Sequence, residues 1–529
     1  MAPSLSIEEF LEPLSVDIDK IDQLSHHFLE VFEKLASDSE NQFLPTPISD
    51  AILRPDAKRR QGCHLAIDIG GTNLRVGFVQ LGSEAASSAT SDQVNGHVGN
   101  GSDEGSSARQ VRRLLEKSWP IHEHLKNENP DSLFLWIGEC IAEVVQDGCK
   151  TLQLQTDQPM PLGVTFSFPM VQHSISQATL MPMGKGFAIS SDQDLGGRLT
   201  DGYNRAKSPE LPPIRVEAIA NDSVSTLVSF IFNFDEASNR RACMGLILGT
   251  GCNATIPLKL SQLNSSKRPP SVVARPEEQA EDVKIAINTE WSINGTSPPL
   301  HEVELVTKWD KILDEQGELN GFQPLEYLTA GRYLGELGRI MLLDYLTEHL
   351  GISAGTLPKK LLQRHNLTTT FLSHFKPLRS SALMSSLQRE FPDSSGSPLF
   401  EWTEDIAVAL YHIAKAIEVR AAGIVAAATL ALLTLAGEVP RDGERAFDHD
   451  CELGVGYTGG CIVHFQDYLQ DCQDFLDQLL NKRFGGQSLL RVVLSPCHDG
   501  GVTGAGILVA AASQSKTIKD WNALKVGGQ

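Results

Sequence analysis

Apolar side chains recur every three to four residues through positions 6–36 (Phe10, Leu11, Leu14, Ile18, Ile21, Leu24, Phe28, Val31, Phe32, Leu35). That spacing predicts helix, divided by Pro13 into two short pieces. From Cys63 the pattern changes. CHLAIDIGGTNLRVGFVQL predicts two strands joined by a Gly-Gly turn. LGVTFSF, VEAIA, CMGLILG and VKIAI predict further strands, with helices or long loops after them. LLRVVLSPCHDGGVTGAGILVAAAS repeats the order strand, Gly-rich turn, helix. The whole reads as α/β.

Two stretches break the pattern. Residues 83–108 are rich in Ser, Gly and Asn and nearly free of large apolar groups. They are expected to form a disordered surface insertion, because they cannot bury enough to offset the entropy of ordering. A second polar insertion spans 260–282 and contains KRPPS. In contrast, AAGIVAAATLALLTLAG (421–437) is continuously apolar for 17 residues and follows the polar-faced run WTEDIAVALYHIAKAIEVR. Crossing a bilayer takes about 20 such residues, so a buried core helix is predicted.

At 529 residues the chain is too long for one small core, and two or more lobes are expected. Its net charge of −21 argues against a general binder of nucleic acid or anionic membrane. The acidic N-terminus lacks the basic and apolar regions of a secretory signal. Nine cysteines without CxxC spacing fit reduced thiols. Both point to the cytoplasm. KRPPS is too short to count as a nuclear-import signal.

Four Gly-containing turns each follow an apolar strand: DIGGTN (68–73), LGTGCN (248–253), VGYTGG (455–460) and HDGGVTGAG (498–506). One such turn is commonplace; four point to a backbone cradle for phosphates. GxxxxGK[ST] is missing, which excludes a P-loop. GVGYTG (454–459) satisfies GxGxxG, but the CIVHF after it predicts a strand where a dinucleotide fingerprint needs a helix. ANDSVSTL places Asn221 and Asp222 after a strand. Asp222 or Ser223 is an ordinary N-cap for the next helix, or Asp222 is a general base at a strand end. Glu290 in INTEW and Glu326 in LEYLTAGRYLGE are solvated or helix-face acids, or ligands. Lys185, between Gly184 and Gly186 in LMPMGKGF, marks a surface turn or the wall of a pocket.

The order and spacing of these motifs resemble the hexokinase family from about Ile7 to about Ser513. LAIDIGGTNLRV is similar to its first phosphate segment, and LGVTFSFP followed by KGF is similar to its sugar-binding signature. ANDSVSTL, LGTGCNA, INTEW and LEYLTAGRYLGE follow in the family's order, with KSWPIHEHL and EVRAAGIVAAA in place. The resemblance implies a two-lobed actin-like, ribonuclease-H-like ATPase fold with a central ligand cleft. The expected division is an N-terminal helical segment (1–61), a small lobe (62–220), a large lobe (221–515) and a tail (516–529).

It further implies that Asp222 takes the proton from the C6 hydroxyl of a hexose as that oxygen attacks the γ-phosphate of MgATP. Ser167, Lys185, Asn221, Asn253, Glu290 and Glu326 would contact the sugar. Asp68, Gly70, Gly71, Thr72, Asn73 and Arg75 would hold the phosphates and, through Asp68, the magnesium indirectly. Thr250, Gly459 and Gly500 would complete the nucleotide site. No nucleic acid or membrane partner is implied, and oligomeric state is not legible.

The chain departs from the family in three places. Met183-Gly184 stands where Trp-Thr precedes the lysine, which removes a hydroxyl and leaves space for a bulkier hexose, with N-acetylglucosamine the favoured candidate. Thr458 and Gly460 replace an Asp and a Ser or Thr of the second phosphate segment. Gly501-Val502 replaces Ser-Gly in the adenosine segment, where Val502 is expected to crowd the nucleotide or alter the turn. The retained acids favour a working kinase. The altered nucleotide segments favour an alternative, a sugar sensor with little turnover, which would allow a nuclear location.

Overall fold

The computed structural model of the protein describes residues 6–54, 61–83, 109–122, 124–125, 130–152, 154, 156–181, 193–237, 239–275, 278–317, 319–376, 380–392, 400–444, 449–485 and 489–514. They form two compact units, each assembled from three stretches of chain. Unit 1 is Met1–Leu44, Asp235–Lys267 and Ile287–His498, and unit 2 is Pro45–Phe234, Arg268–Ala286 and Asp499–Gln529. The lobes expected from the sequence are contiguous, whereas these units are not. The reason lies in packing: the helix Ile18–Asp38 packs on the long helix Glu404–Leu435 of unit 1, and the helix Gly500–Gln514 packs on the sheet of unit 2.

Among the described residues thirteen strands run in chain order: β1 (Leu44–Ser49), β2 (Gly62–Ile69), β3 (Asn73–Ser83), β4 (Arg109–Pro120), β5 (Met160–Phe166), β6 (Met170–Ser174), β7 (Gln177–Leu180), β8 (Ile214–Asn221), β9 (Arg240–Leu248), β10 (Cys252–Lys259), β11 (Lys284–Asn288), β12 (Cys451–Thr458) and β13 (Leu490–Pro496). The predicted strands are all among them except CIVHF, which is helical. Ser83 closes β3; the rest of the predicted insertion, 84–108, lies outside the described residues. The second polar insertion carries short 3-10 turns at Leu260–Gln262 and Ala280–Asp282. Pro13 falls in a 3-10 turn as expected, but the helix after it, Ile18–Asp38, is 21 residues long rather than short.

In unit 2 the sheet order is β4-β3-β2-β5-β8, with β2, β3 and β4 antiparallel and β5 and β8 added in parallel. Alternation along β2 sorts its side chains to two faces. Leu65, Ile67 and Ile69 join a core with Leu133, Phe134, Ile137 and Ile141 of the helix Pro130–Thr151. Asp68, of opposite parity, faces the helix Gly500–Gln514. β5 is buried at nearly every position, as a strand covered on both faces must be. The covering helix comes very near: a Cβ on Gly163 of β5 would lie 2.2 Å from the carbonyl oxygen of Ala505, and one on Gly504 2.2 Å from that of Ser225.

In unit 1, β10-β9-β12-β13 form the sheet, β9 antiparallel to β10 and β12 parallel to both β9 and β13. The helix Glu404–Leu435 is long and apolar enough to cross a bilayer, but 89% of its most apolar window is buried within the protein. It is the core helix the sequence predicts. Its one fully buried guanidinium, Arg420, forks onto Asp310 at 2.7 and 2.8 Å and donates to the Leu305 carbonyl at 3.0 Å. Asp310 also accepts from the Thr307 amide and hydroxyl. A buried ion pair gains little over an apolar pair, but losing one partner strands a charge.

Arg420→Met should therefore cost unit 1 about 3–5 kcal/mol. Adding Asp310→Asn, which removes the stranded charge yet still accepts from Thr307, should recover part of the loss. Urea unfolding followed by tryptophan fluorescence checks both, since Trp309 is buried beside the pair. A double variant no better than the single one would mean that the arginine acts through packing alone.

Candidate active site

Unit 2 gathers its chemistry where β2 ends and two helices begin. The turn from β2 to β3 passes through Gly70, Gly71 and Thr72. It is closed by the Gly70 amide donating to the Asn73 carbonyl at 3.0 Å and anchored by the Ile121 amide donating to the Thr72 carbonyl at 2.8 Å. Asn73 Nδ2 donates to the Thr72 hydroxyl at 3.1 Å. Asp68 and Arg75 are register partners across this hairpin, 3.7 Å apart, so the cation stands beside the acid because the strands pair that way. On its other side Asp68 meets the N-terminus of the helix Gly500–Gln514. A Cβ on Gly501 would lie 2.5 Å from its carboxylate, so any larger residue there would push the carboxylate from its present position.

Asp222 is the first residue of the helix Asp222–Asn233. The cap is Asn221, whose Oδ1 accepts from the Ser223 amide at 3.0 Å and the Ser223 hydroxyl at 2.8 Å. This corrects the capping assignment to Asp222 or Ser223: the asparagine at the strand end has the extended backbone a cap requires. Asn221 Nδ2 also reaches the Phe166 carbonyl at 3.5 Å, and the Ser167 amide donates to the Ile69 carbonyl at 3.0 Å. Burial, followed by the charge of Asp222, pushes the Asp68 carboxyl up to about 7 despite Arg75. Two acids held together at helix N-termini, beside glycine-lined turns, form a place for a cation and for phosphate oxygens.

One pairing, Arg113 with Asp499, was missed in the sequence. Asp499, at φ 55°, precedes the Gly500 helix, pairs with Arg113 of β4 at 2.7 Å and lies 3.8 Å from Arg75. Its place in HDGG was legible but its partner was not, because β4 reaches it through the order of the sheet. Val502 is 1% exposed, in the first turn of that helix. It packs in the core of its unit. Lys185, with Met183, Gly184, Gly186 and Phe187, lies outside the described residues.

Unit 1 carries a second cluster. Asn253 on β10 donates through Nδ2 to Asn288 Oδ1 at 2.9 Å, and Asn288 Nδ2 donates to Glu290 Oε1 at 2.9 Å. Asn253 Nδ2 is also 3.5 Å from Glu290 Oε1. Glu326, in the first turn of the helix Pro324–Thr329, accepts from the Cys252 amide at 3.1 Å. Glu290 is 9% and Glu326 3% exposed, so neither is the solvated acid that the plainer reading allowed. Asn288 was missed; its only signal is sharing a face with Glu290 two residues on. Such convergent amide and carboxylate groups suit a polyhydroxylated ligand, whose hydroxyls both donate and accept.

The Gly249–Gly251 turn, which presents an exposed Thr250, is fastened by the Gly331 amide to the Gly249 carbonyl and the Arg332 amide to that of Thr250. Gly459 lies against it at φ 126°, where a Cβ would come 2.2 Å from the Leu248 carbonyl oxygen. The stretch after it corrects another expectation. Gly460–His464 is a five-residue helix, not a strand, since so short an apolar run carries no distinguishing period. GVGYTG still is no dinucleotide fingerprint, because Gly454 and Gly456 sit inside β12 rather than in a turn.

Comparison with known proteins bears on the whole chain. A family model described as Hexokinase matches residues 243–511, and a second with the same description matches 6–232. Hexokinase-1 of Nicotiana tabacum is 28% identical over 523 residues, 97% of this chain and 92% of its own. Hexokinase-1 of Schizosaccharomyces pombe is 26% identical over 520 residues, again 97% and 92%. The fold matches the solved hexokinase from Schistosoma mansoni complexed with glucose, with a TM-score of 0.71 at 23% identity over 96% of this chain and 98% of that one.

Asp68 makes stability depend on pH. Its folded pKa lies above the ordinary carboxylate value, so the folded state holds a proton that the unfolded chain releases. Through this group stability falls as pH rises from about 4 to about 7, and then levels. Asp68→Asn, measured without nucleotide or divalent cation, should unfold at a higher temperature than the parent, by a margin that grows across that window. A constant margin from pH 4.5 to 8 would show that the carboxyl titrates normally.

Proposed function

The chain belongs to the hexokinase family, and from that premise we propose that it phosphorylates a hexose at the 6-hydroxyl, with Asp222 as the general base. The observation that carries this reading is the position of Asp222. It opens its helix while the cap is supplied by Asn221, and its charge is felt at Asp68. In the proposed reaction Asp222 accepts the hydroxyl proton as O6 bonds to the γ-phosphorus of ATP and the bond to the ADP oxygen breaks. Little covalent help is needed; placement and charge neutralisation supply most of the rate.

Asn253, Glu290 and Glu326 are assigned to hexose hydroxyls, and Ser167, Lys185 and Asn221 to the sugar beside Asp222. Gly70 to Asn73, Arg75 and Gly500 are assigned to phosphates, with Thr250 and Gly459 completing the nucleotide contacts. The residues present fit a magnesium ion. Asp68, a carboxylate beside the N-terminus of the helix Gly500–Gln514, would hold it indirectly, with phosphates and water completing its shell. When bound, it would neutralise phosphate charge during transfer.

A substrate bulkier than glucose, N-acetylglucosamine first, is proposed from the Met183-Gly184 pair, which removes a hydroxyl and an indole from the sugar signature. The second reading, a sugar-binding regulator with little turnover, is favoured by Thr458 and Gly460, which replace an acid and a hydroxyl of the second phosphate segment.

ADP release should be scanned over glucose, mannose, fructose and N-acetylglucosamine. Asp222→Asn should retain hexose affinity within a few-fold while kcat falls by roughly 10²–10⁴; unchanged turnover would remove the base assignment. Gly184→Thr should move the kcat/KM ratio toward glucose, and an unmoved ratio would sink the enlarged-pocket idea. Absence of turnover with all four sugars, in folded protein that binds one of them, would favour the regulator.

A further inference from the structure

Glu290 is held in an unfavourable backbone conformation. Its φ of 43° lies in the left-handed region, which costs a side-chain-bearing residue of order 1 kcal/mol or more and persists only where neighbours enforce it. Enforcement comes from a residue nearly 250 positions earlier in the chain. Gln42, 2% exposed, donates through Nε2 to the Glu290 carbonyl at 3.0 Å and reaches the Ile293 carbonyl at 3.4 Å. The adjoining Phe43 amide donates to the Thr289 carbonyl at 2.8 Å.

The slot for this amide is specific. A Cβ on Gly295 would lie 2.0 Å from Gln42 Oε1, so the glycine leaves the room that the glutamine occupies. Gln42 is itself fixed, its backbone amide donating to the Ser39 hydroxyl at 3.1 Å and its backbone carbonyl accepting from the half-buried Lys267 ammonium at 3.3 Å. The Glu290 loop is thus gripped at both ends. Gln42 sets the main chain, while Asn288 Nδ2 at 2.9 Å sets the side-chain oxygen. A rotation of the peptide would swing that oxygen off Asn288 and away from its present direction.

We propose that Gln42 is a positioning residue for hexose recognition, acting through the Glu290 backbone without touching the sugar. The proposal rests on the reading of Glu290 as a hexose contact. Gln42→Glu keeps size and shape but turns a donor toward the carbonyl into an acceptor. It should weaken glucose and N-acetylglucosamine binding about tenfold, the cost of one buried hydrogen bond lost with its partner left unpaired. In turnover the same factor should fall on the KM for hexose, with kcat at saturating sugar and the KM for ATP little changed.

Thr296→Val serves as the comparison. Its hydroxyl bonds the Trp291 and Ile293 carbonyls of the same loop, at 2.7 and 2.9 Å, but not that of Glu290. Both variants should lower the unfolding temperature by a few degrees, and only Gln42→Glu should shift hexose affinity by calorimetry. Equal shifts in the two, or a fall in kcat in place of KM, would overturn the positioning role. Glu290→Gln separates the two layers of inference. If it leaves hexose affinity intact, the contact reading fails and takes the proposal with it. If it weakens binding while Gln42→Glu does not, the proposal alone fails.

Discussion

The nearness of one helix to one sheet governs unit 2. Because Gly163 and Gly504 have no side chains, the helix Gly500–Gln514 lies with its backbone against β5 and against the helix Asp222–Asn233. That contact lowers the helix N-terminus onto Asp68 and lets the Thr165 hydroxyl donate to the Gly501 carbonyl at 2.8 Å. The altered affinity of Asp68 for its proton follows. An acid on the covered face of β2, with Asp222 nearby and one guanidinium at 3.7 Å, has lost more hydration than Arg75 returns. A bulkier residue at any of these glycines would lift the helix and separate the groups that the proposed chemistry needs together.

The departures from the family divide by their surroundings. Gly501 lets the Asp68 carboxylate lie against the helix, and a serine there would displace it. Val502 is absorbed by the core. Both changes at the head of that helix are accommodated by the packing around them. Thr458 is different. It ends β12 beside Gly459, which lies against the turn that presents Thr250, and its hydroxyl carries no charge in place of the acid.

Strands, glycine turns and the main acids were legible because each leaves a local mark: a short apolar run, a Gly pair, a polar residue at a strand end. What stayed hidden depends on contacts across long stretches of chain. Gln42 sits in a polar-to-apolar transition like many others, and only the fold brings it to Glu290. Arg113 meets Asp499 because β4 is the edge strand of its sheet. The identity of the helix cap at Asn221 escaped because three successive residues, Asn221, Asp222 and Ser223, are all good caps by composition. Sequence offers the candidates; backbone angles choose among them.

The discontinuity of the units has a consequence for how the chain acquires its fold during synthesis. Strands β2 and β3 emerge early with an apolar face that the helix Pro130–Thr151 can cover. Their opposite face is covered by residues 500–514. Unit 1 likewise begins with the helix Ile18–Asp38, whose partner helix spans Glu404–Leu435. Each unit is held half-finished while the intervening residues are added, at some 5–20 per second. For that interval an apolar sheet surface stands uncovered, open to non-native contacts until the closing helices are made.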